Sequence, residues 1–346
     1  MSRLKFLILP IVAMTIFSCG PDKPEVPPTT APPTPAKVQK KVPKFDSESA
    51  YNFIKTQIEF GPRVTNSPGH AECKKWLVET LNGYADNVIE QDFSAKAYTG
   101  TMLNGTNIIA QFNPEATNRI CLAAHWDTRH IADSPLEKGE KYKPIDGADD
   151  GGSGVGVLLE IARTLKENPI ELGVDLVLFD AEDHGEENSD EPKTNAELIA
   201  SSNSWGLGSQ YWASNLHVPG YNPKYAILLD MVGAKDARFP KEGWSMQVAP
   251  SLVNKVWKLG QGMGYTNYFS NEKGGSITDD HYFVIKNTNG RIRMIDIVNL
   301  PANQETTFGG HWHTHNDNLD VIDKRTLKAV GQVMLAVLYR EENGTF

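Results

Sequence analysis

Four hydrophobic runs, each ending in metal-binding or acid/base side chains, constrain the fold of this 346-residue chain more than any other feature. The clearest run starts at Gly173, reads as a buried strand and stops in three carboxylates, Asp180, Glu182 and Asp183. Strands that are apolar over most of their length are typical of parallel sheets covered by helices on both faces. In such open α/β sheets the ligand crevice lies beyond the carboxyl ends of the strands.

The other three runs repeat this pattern. One ends in His125 and Asp127, and the next ends in Asp230. The fourth, residues 291–300, leads into a loop that carries His313. A single Asp at a strand end often only caps a turn, but four polar strand ends together indicate one shared rim. Imidazole and carboxylate groups without thiolate suit a catalytic zinc site, where about three protein ligands leave one position open.

The composition is that of a folded protein with one large domain. Hydrophobic residues make up 40% of the chain, and the net charge of −9 argues against nucleic acid as a partner. Strands alternate with helices over about three hundred residues, and no internal repeat is visible. This alternation predicts a single α/β domain of three layers, α/β/α.

The first 18 residues have the features of a secretory signal. Arg3 and Lys5 precede an apolar run, residues 6–17, that is too short to span a bilayer as a helix. The small residue before Cys19 resembles the lipobox of bacterial lipoproteins, in which cleavage leaves a lipid-modified N-terminal Cys. We therefore expect a lipoprotein signal peptide at 1–18 and a lipid anchor on the periplasmic side of a bacterial membrane. An ordinary signal peptide with an incidental Cys is the alternative.

Residues 19–45 are predicted to be a tether. They are rich in Pro and Thr, cannot build a core and favour extended conformations. The short lysine-rich stretch 37–44 is interpreted as solvated linker, not as a binding patch. Residues 46–346 then form the catalytic α/β domain.

Periodicity predicts the elements between the motifs. The predicted helices span 47–60, with Ser47 as the N-cap, 206–216 and 323–339, one more starts near Asn66, and strands span 87–97 and 105–112. Cys73 falls in a helix and Cys121 in a central strand, so two separately buried thiols are at least as well supported as a disulfide. The lone His70 is predicted to be structural, not a ligand.

A glycine-rich stretch follows Asp149 and Asp150 and invites a phosphate-loop interpretation. That interpretation fails because no Walker lysine follows, the dinucleotide spacing is absent, and Ser153 lacks the last Gly of G-x-S-x-G. Small residues in the first turn of a helix let a metal centre or another backbone approach closely. Asp150, at the helix start, is the better-placed metal ligand of the pair.

A long acidic, polar loop, residues 186–204, separates Asp183 from the next predicted helix. An acidic run is usually a solvated face. The length of this loop is unusual for a compact domain and suits a segment that shapes one side of an active-site mouth.

Together the motifs resemble those of the zinc-dependent glutaminyl cyclases of the animal type and their bacterial relatives, which share a fold with the zinc aminopeptidases. The resemblance implies a zinc exopeptidase-like domain with a mixed, mostly parallel central sheet. It runs from about Phe60 to Tyr339 through His125-Trp-Asp127, Gly147-Ala-Asp-Asp150, Phe179-Asp-Ala-Glu182-Asp183, Gly206-Leu-Gly-Ser209, Leu229-Asp230, Asp279-Asp280-His281 and Trp312-His313-Thr314.

The resemblance assigns a metal site and a proton carrier. It implies that Asp150, Asp183 and His313 hold one Zn²⁺ per chain and that Glu182 is the catalytic acid/base. The sequence departs from the family at one position, because the usual ligand there is Glu and this chain has Asp183. A shorter side chain still binds zinc if the strand end shifts by about one methylene length.

The resemblance also assigns residues around the substrate. It implies that Asp230 and Asp280 form a hydrogen-bonded catalytic carboxylate pair that shares a proton. Trp312 matches the pocket aromatic of the family and is predicted to bind substrate, with Trp205 and His125 as further substrate-binding candidates. The side chains that follow Asp183 differ from the animal pattern, so the pocket on that side is not assigned.

The implied reaction converts the N-terminal glutamine of peptides and proteins to pyroglutamate with release of ammonia. The alternative is a zinc aminopeptidase, in which His125 and Asp230 complete a second metal site with Asp150. The Asp279-Asp280-His281 motif and the Trp312-His313 pair favour the cyclase. A third possibility, a non-catalytic binding protein on an inactive enzyme scaffold, is disfavoured because Glu182 is intact.

Overall fold

The structure, a computed structural model, describes Gly20 and residues 39–187, 191–302 and 306–346. The predicted signal peptide, Cys19 and most of the predicted tether lie outside the described residues. Among the helices within the described ranges, none combines the length and the apolar character needed to cross a membrane.

A six-stranded sheet lies at the centre, in the order β1-β2-β4-β3-β5-β8. Neighbours β3–β4, β3–β5 and β5–β8 are parallel, whereas β1–β2 and β2–β4 are antiparallel. The prediction of a mixed, mostly parallel sheet is confirmed. Strands β6 and β7 pair separately. The strand bounds are β1 Asn87–Lys96, β2 Met102–Phe112, β3 Arg119–His125, β4 Gly173–Phe179, β5 Ala226–Asp230, β6 Phe239–Lys241, β7 Phe269–Lys273 and β8 Met294–Val298.

Helices cover both faces of the sheet, which gives the three predicted layers. Their bounds are α1 Ser47–Glu59, α2 Pro68–Asn82, α3 Gly152–Glu167, α4 Asn195–Ser202, α5 Leu207–Ser214, α6 Gly243–Val248, α7 Pro250–Gly262, α8 Asp280–Asn287 and α9 Lys324–Glu342. Side chains alternate across a strand. Leu122 and Leu176 therefore pack with α1, α3 and α9 on one face. Ala123 and Val177 pack with α5 and α8 on the other face.

The ends of the helices follow local capping chemistry, with two differences from the predicted bounds. Asp46, not Ser47, caps α1, because its carboxylate accepts the backbone N–H groups of the first turn. Helix α9 runs three residues further than predicted, to Glu342, whose carboxylate accepts the backbone N–H groups of Glu171 and Leu172 at 3.1 and 2.8 Å.

The folded part begins earlier than the composition predicted. Lys40 donates its backbone N–H to Asn343 at 2.8 Å, and Phe45 is 4% exposed. A Cβ on Gly331 of α9 would lie 2.2 Å from the Phe45 ring, so this contact requires the glycine. Residues 40–45, predicted as the end of the tether, therefore pack on the domain. Phe45, a hydrophobic residue inside a polar stretch, was the sequence signal for this packing.

Cys73 and Cys121 are both buried and unpaired in the structure. Cys73 lies in α2 and Cys121 in β3, as their sequence contexts predicted. The two thiols are therefore separate core residues and form no disulfide with each other.

Candidate metal centre and cavity

The candidate site lies at one edge of the sheet, where parallel strands end side by side. β3 ends at His125, which pairs with Phe179 at the end of β4. β5 ends at Asp230. Because β3, β4 and β5 run in the same direction, the polar residues that follow them meet at this edge.

Asp150, Asp183 and His313 converge there, with one potential ligand atom from each lying within 4.8 Å of the others. His313 Nε2 lies 3.1 Å from Asp183 Oδ1 and 3.7 Å from Asp150 Oδ2. All three side chains are buried, and Asp183 Oδ2 has no hydrogen-bond partner among the described residues. Buried charges are normally paired or coordinate a metal. This orphaned oxygen and the N/O donor set therefore fit a divalent cation.

The shorter side chain at Asp183 still contacts His313, whose Nε2 lies 3.1 Å from Asp183 Oδ1. Burial, and then the charge of Asp150, raise the pKa of Asp183 to about 6. Two carboxylates held this close repel each other unless a cation lies between them. Asp183 therefore has one carboxylate oxygen within 4.8 Å of a potential ligand atom of both Asp150 and His313.

Two buried aspartates hold the backbone under the ligands. Asp127 accepts the backbone N–H groups of Glu182 and Asp183 at 3.0 and 3.1 Å. Asp317 accepts those of Asp149 and Asp150 at 2.8 and 3.0 Å. Each carboxylate thus fixes two consecutive residues. The strand-end motif pointed to Asp127, but the sequence carried no signal for Asp317.

Asp149 contacts groups outside the candidate ligand set, which agrees with the choice of Asp150 as the better-placed ligand. Its Oδ1 accepts the backbone N–H of Gly233 at 2.7 Å. Its Oδ2 lies 2.8 Å from His311 Nε2. Asp149 therefore ties the start of α3 to two neighbouring loops and does not face the metal-ligand set.

His313 is fixed from its other nitrogen. Its Nδ1 lies 2.8 Å from Asp133 Oδ1. Arg129 contacts both oxygens of Asp133, at 3.0 and 2.7 Å, and donates to the carbonyl oxygens of Asp183 and Gly185. Burial opposes ionisation, but His313 and Arg129 hold the pKa of Asp133 well below its usual range. Sequence reasoning missed Arg129 and Asp133, which lie in a polar loop.

Backbone strain collects around the same residues. Ala181, Met231 and His313 adopt left-handed φ values of 52°, 47° and 54°, although none is glycine. Such conformations cost on the order of 1–3 kcal/mol each and are typical of functional sites. Gly151 also has a positive φ, 76°, and a Cβ there would lie 2.8 Å from His125 Cε1.

Asp180 also follows a strand, but it has a structural role. It accepts hydrogen bonds from Thr65 Oγ1 at 3.1 Å and from the backbone N–H of Thr106 at 2.7 Å. His70 Nε2 lies 2.9 Å from its carboxylate, and the His70 ring stacks on Trp126 at 4.3 Å. His70 is therefore a buried structural histidine, as predicted.

His125 does not take the place predicted for it as a substrate-binding residue. It is 1% exposed and does not line the cavity. Its Nε2 lies 3.0 Å from Asp150 Oδ1 and 3.3 Å from Asp230 Oδ1, because β3 lies between β4 and β5 and the ring sits behind the carboxylates. These three residues form a second group that could hold a cation.

The charge state of His125 follows from these carboxylates. Burial alone would lower its pKa, but the carboxylates of Asp127, Asp150 and Asp230 raise the pKa well above its usual value. These carboxylates therefore favour the charged form of the ring, against the effect of burial.

Asp280 also differs from its predicted position. It starts α8, is fully buried beside Ser209 and does not line the cavity, whereas the preceding Asp279 does. The hydrogen bond that the structure shows for Asp230 goes to His125. Burial raises the pKa of Asp230 well above its usual range, and the charge of Asp279 adds to this effect. The carboxylate that faces the cavity together with Asp230 is therefore Asp279.

Behind Asp279 lies a buried polar cluster that the sequence did not indicate as a unit. His281 Nε2 lies 3.1 Å from Glu242 Oε2, and its Nδ1 lies 3.5 Å from Asp296 Oδ2. Glu242 also accepts both the backbone N–H and the hydroxyl of Ser245. This cluster ties α6, α8 and β8 together beneath the cavity wall.

Glu182 lines the cavity and is 8% exposed. Burial raises its pKa well above the usual range; a charge on His125 opposes this rise, and the charges of Asp183 and its neighbours reinforce it. A carboxyl group with a raised pKa exchanges protons near neutral pH more readily than an ordinary one. The electrostatics of Glu182 therefore suit an acid/base.

One cavity of about 440 Å³ connects these groups. Seven of the nine predicted site residues line it: Asp150, Glu182, Asp183, Trp205, Asp230, Trp312 and His313. Two tryptophans flank the His313 ring, Trp312 at 3.8 Å and Trp205 at 5.9 Å between ring centroids. Both tryptophans are half-buried and line the cavity.

The chain is similar to several known proteins. The family model described as peptidase family M28 matches residues 107–338. A curated relative, the glutaminyl-peptide cyclotransferase of Drosophila melanogaster, is 26% identical over 294 residues, which cover 77% of this chain and 73% of the relative.

Solved bacterial structures are more similar. The glutaminyl cyclase of Bacteroides thetaiotaomicron bound to N-acetylhistamine is 46% identical with a TM-score of 0.81, and the match covers 86% of this chain and 99% of that one. A structure described as a leucine aminopeptidase precursor from Bacteroides thetaiotaomicron VPI-5482 is 45% identical with a TM-score of 0.80, covering 86% and 98%. The family match spans most of the folded domain, including every strand end that builds the site, and the chain therefore belongs to peptidase family M28.

Proposed function

We propose that this chain is a glutaminyl-peptide cyclotransferase that converts N-terminal glutamine to pyroglutamate and releases ammonia. The observation that carries the proposal is the single cavity that places Glu182 beside the Asp150, Asp183 and His313 set, with Trp312 on the same wall. The cyclotransferase and glutaminyl cyclase relatives support the same reaction.

The proposed cofactor is one zinc ion held by Asp150, Asp183 and His313. Carboxylate and imidazole donors suit catalytic zinc, and the orphaned Asp183 Oδ2 offers a free ligand atom. When bound, zinc supplies a Lewis acid that polarises the γ-carbonyl group of the substrate. His125 and Asp230 remain hydrogen-bonding groups in this proposal, as their 3.3 Å contact permits.

Glu182 is the proposed proton carrier. The substrate's α-amine nitrogen attacks the γ-carboxamide carbon, so a new C–N bond closes a five-membered ring as the bond to the amide nitrogen breaks. Glu182 takes a proton from the attacking nitrogen and delivers it to the departing nitrogen, which leaves as ammonia. The carboxyl groups of Asp230 and Asp279, which both line the cavity, are the proposed hydrogen-bonding partners of the substrate's amine.

Peptide turnover tests the proposal directly. Purified protein should release ammonia from a peptide that begins with Gln and leave a blocked pyroglutamyl end, both visible by mass spectrometry. A matched peptide that begins with Leu should stay intact. Release of free leucine without ammonia formation from the Gln peptide would overturn the proposal.

A zinc aminopeptidase is the second candidate, and one observation favours it. His125, Asp150 and Asp230 could hold a second cation, because their ligand atoms lie within 4.8 Å of one another. The similarity to the structure described as a leucine aminopeptidase precursor also favours an aminopeptidase. Metal analysis separates the two candidates, because the cyclotransferase is expected to hold one zinc per chain and the aminopeptidase two.

Attachment to a membrane through lipid on Cys19, on the periplasmic side, remains part of the proposal. Its support is the lipobox-like sequence at Cys19 and the Pro/Thr-rich stretch after it. In a bacterial host, the full-length protein should partition into detergent and Cys19→Ser should release it into the aqueous phase. Equal partitioning of the two forms would argue against the anchor.

A further inference from the structure

Helix α4 stands at the mouth of the cavity without being anchored by the core. None of its residues is buried. Local contacts define it instead, with a capping box between Thr194 and Glu197 and an ion pair of 3.0 Å between Lys193 and Glu186. Packing in the core therefore does not explain why this helix carries two exposed aliphatic residues, Leu198 at 53% and Ile199 at 62%.

The two aliphatic side chains differ in what they face. Leu198 lines the cavity, as do Ser201 and Ser202 one turn further along the helix. Ile199 is not among the lining residues. Successive residues of a helix point about 100° apart, whereas residues three or four apart share a face. One face of α4 is therefore a wall of the cavity, and Leu198 is its apolar member.

The cavity is divided by polarity. Its buried lining residues include the carboxylates of Asp150, Glu182, Asp183, Asp230 and Asp279. Its more exposed lining residues are apolar or carry hydroxyl groups, such as Leu198, Thr278 and Phe308. Within the described part of the chain, the lining includes no lysine and no arginine. The buried part, or floor, therefore suits an amine, and the described residues of the exposed part, or mouth, offer apolar contacts and hydroxyl groups but no lysine or arginine for a carboxylate.

We infer that Leu198 is a specificity-determining residue that contacts an apolar side chain at the second position of the substrate peptide. This inference rests on the proposed function, which places the N-terminal glutamine on the acidic floor. The next residue of an extended chain lies about 3.3–3.6 Å further out, on the way to the rim. An apolar second residue buries surface against Leu198, whereas an acidic one finds no lysine or arginine among the described residues that line the cavity.

Two alanine variants of α4 provide the test, with Ile199→Ala as the matched control for Leu198→Ala. Both remove an exposed aliphatic side chain and favour the helix, so effects on folding should be alike. On peptide amides that begin Gln-Phe, Leu198→Ala should lower kcat/KM about three- to tenfold, the effect of losing one or two apolar contacts. On Gln-Ala peptides it should change kcat/KM less than about twofold, and Ile199→Ala should leave both substrates near wild type.

A charge variant gives a second readout. Leu198→Lys places a cation at a mouth whose described lining residues include no lysine or arginine, so it should raise kcat/KM for a Gln-Glu peptide relative to Gln-Phe. If Leu198→Ala lowered kcat/KM equally for Gln-Phe and Gln-Ala peptides, or changed neither value, the inference about Leu198 would be overturned. The proposed cyclisation reaction would not be affected by that result. If no Gln peptide releases ammonia in any form of the protein, the proposed function fails instead.

Discussion

His313 Nδ1 lies 2.8 Å from Asp133 Oδ1, which leaves the opposite ring nitrogen directed at Asp183. A carboxylate behind a metal-binding histidine fixes the tautomer and the orientation of the ring. Trp312 and Trp205 flank the same ring. These contacts fix the orientation of the His313 ring, whose backbone has a left-handed φ of 54°.

The first prediction tests this contact. Asp133→Asn should weaken zinc binding about 10- to 100-fold, because the amide does not carry the charge that supports the imidazole. Competition with a chelator measures the effect. Glu137→Gln is the control, since Glu137 lies 3.2 Å from His315 in a similar pair that does not face the site. Equal affinity in the two variants would contradict a role for Asp133.

The second prediction concerns the ligands themselves. Asp183→Ala and His313→Ala should each lose zinc, because two protein ligands make an incomplete site. Asp183→Glu should keep part of the zinc, since the longer carboxylate is the usual ligand in the family that the sequence resembles. Elemental analysis of the three purified variants gives the answer. Full occupancy in both alanine variants would refute the assignment.

The third prediction isolates the proton carrier. Glu182→Gln keeps the shape of the side chain but cannot shuttle a proton, so turnover should fall about 10²- to 10⁴-fold while zinc content and fold are retained. Glu186→Gln, in the nearby loop and paired with Lys193, controls for the loss of a negative charge. Near-normal turnover in Glu182→Gln would indicate that another carboxylate carries the proton. Asp279 would then be the first candidate.

The fourth prediction concerns the pH dependence of turnover. The attacking α-amine must be uncharged, and its ordinary pKa is about 7.7–8.0. At low substrate concentration, kcat/KM should therefore rise from about pH 6 towards pH 8 as the amine loses its proton. A rate that is flat over this range would mean that the amine is not the nucleophile.

The fifth prediction links Glu242 to stability at low pH. Burial opposes ionisation, but contacts with His281 and Ser245 lower the pKa of Glu242 from 4.5 to about 2. Because the folded pKa lies below the unfolded one, this stabilisation is present above about pH 4.5 and disappears as the pH falls towards 2. A shift of this size corresponds to about 3 kcal/mol.

Denaturant unfolding between pH 2.5 and pH 7 measures the contribution of Glu242. The free energy of unfolding should fall more steeply towards acid pH in the wild type than in Glu242→Gln, which should be less stable at pH 7. Parallel curves for the two proteins would show that Glu242 ionises alike in the folded and unfolded chains.

Local sequence patterns were sufficient to predict the layers of the fold and the ends of the strands that carry the site. An apolar run followed by carboxylates predicts a buried strand and a polar end, and Glu182 and Asp183 follow β4 in this way. Strands that are parallel and adjacent end at one edge, so Asp230 and His125 were expected near them. These inferences depend only on short-range periodicity and on the general geometry of α/β sheets.

Tertiary structure alone decided which of these residues face the cavity and what holds them. Asp317 binds the backbone of Asp150 from 167 residues further along the chain, and no periodicity encodes such a contact. The order of the strands placed His125 behind the carboxylates, and the start of α8 turned Asp279 to the cavity instead of Asp280. A sequence pattern specifies which side chains reach a common rim, whereas their orientation depends on packing between distant segments.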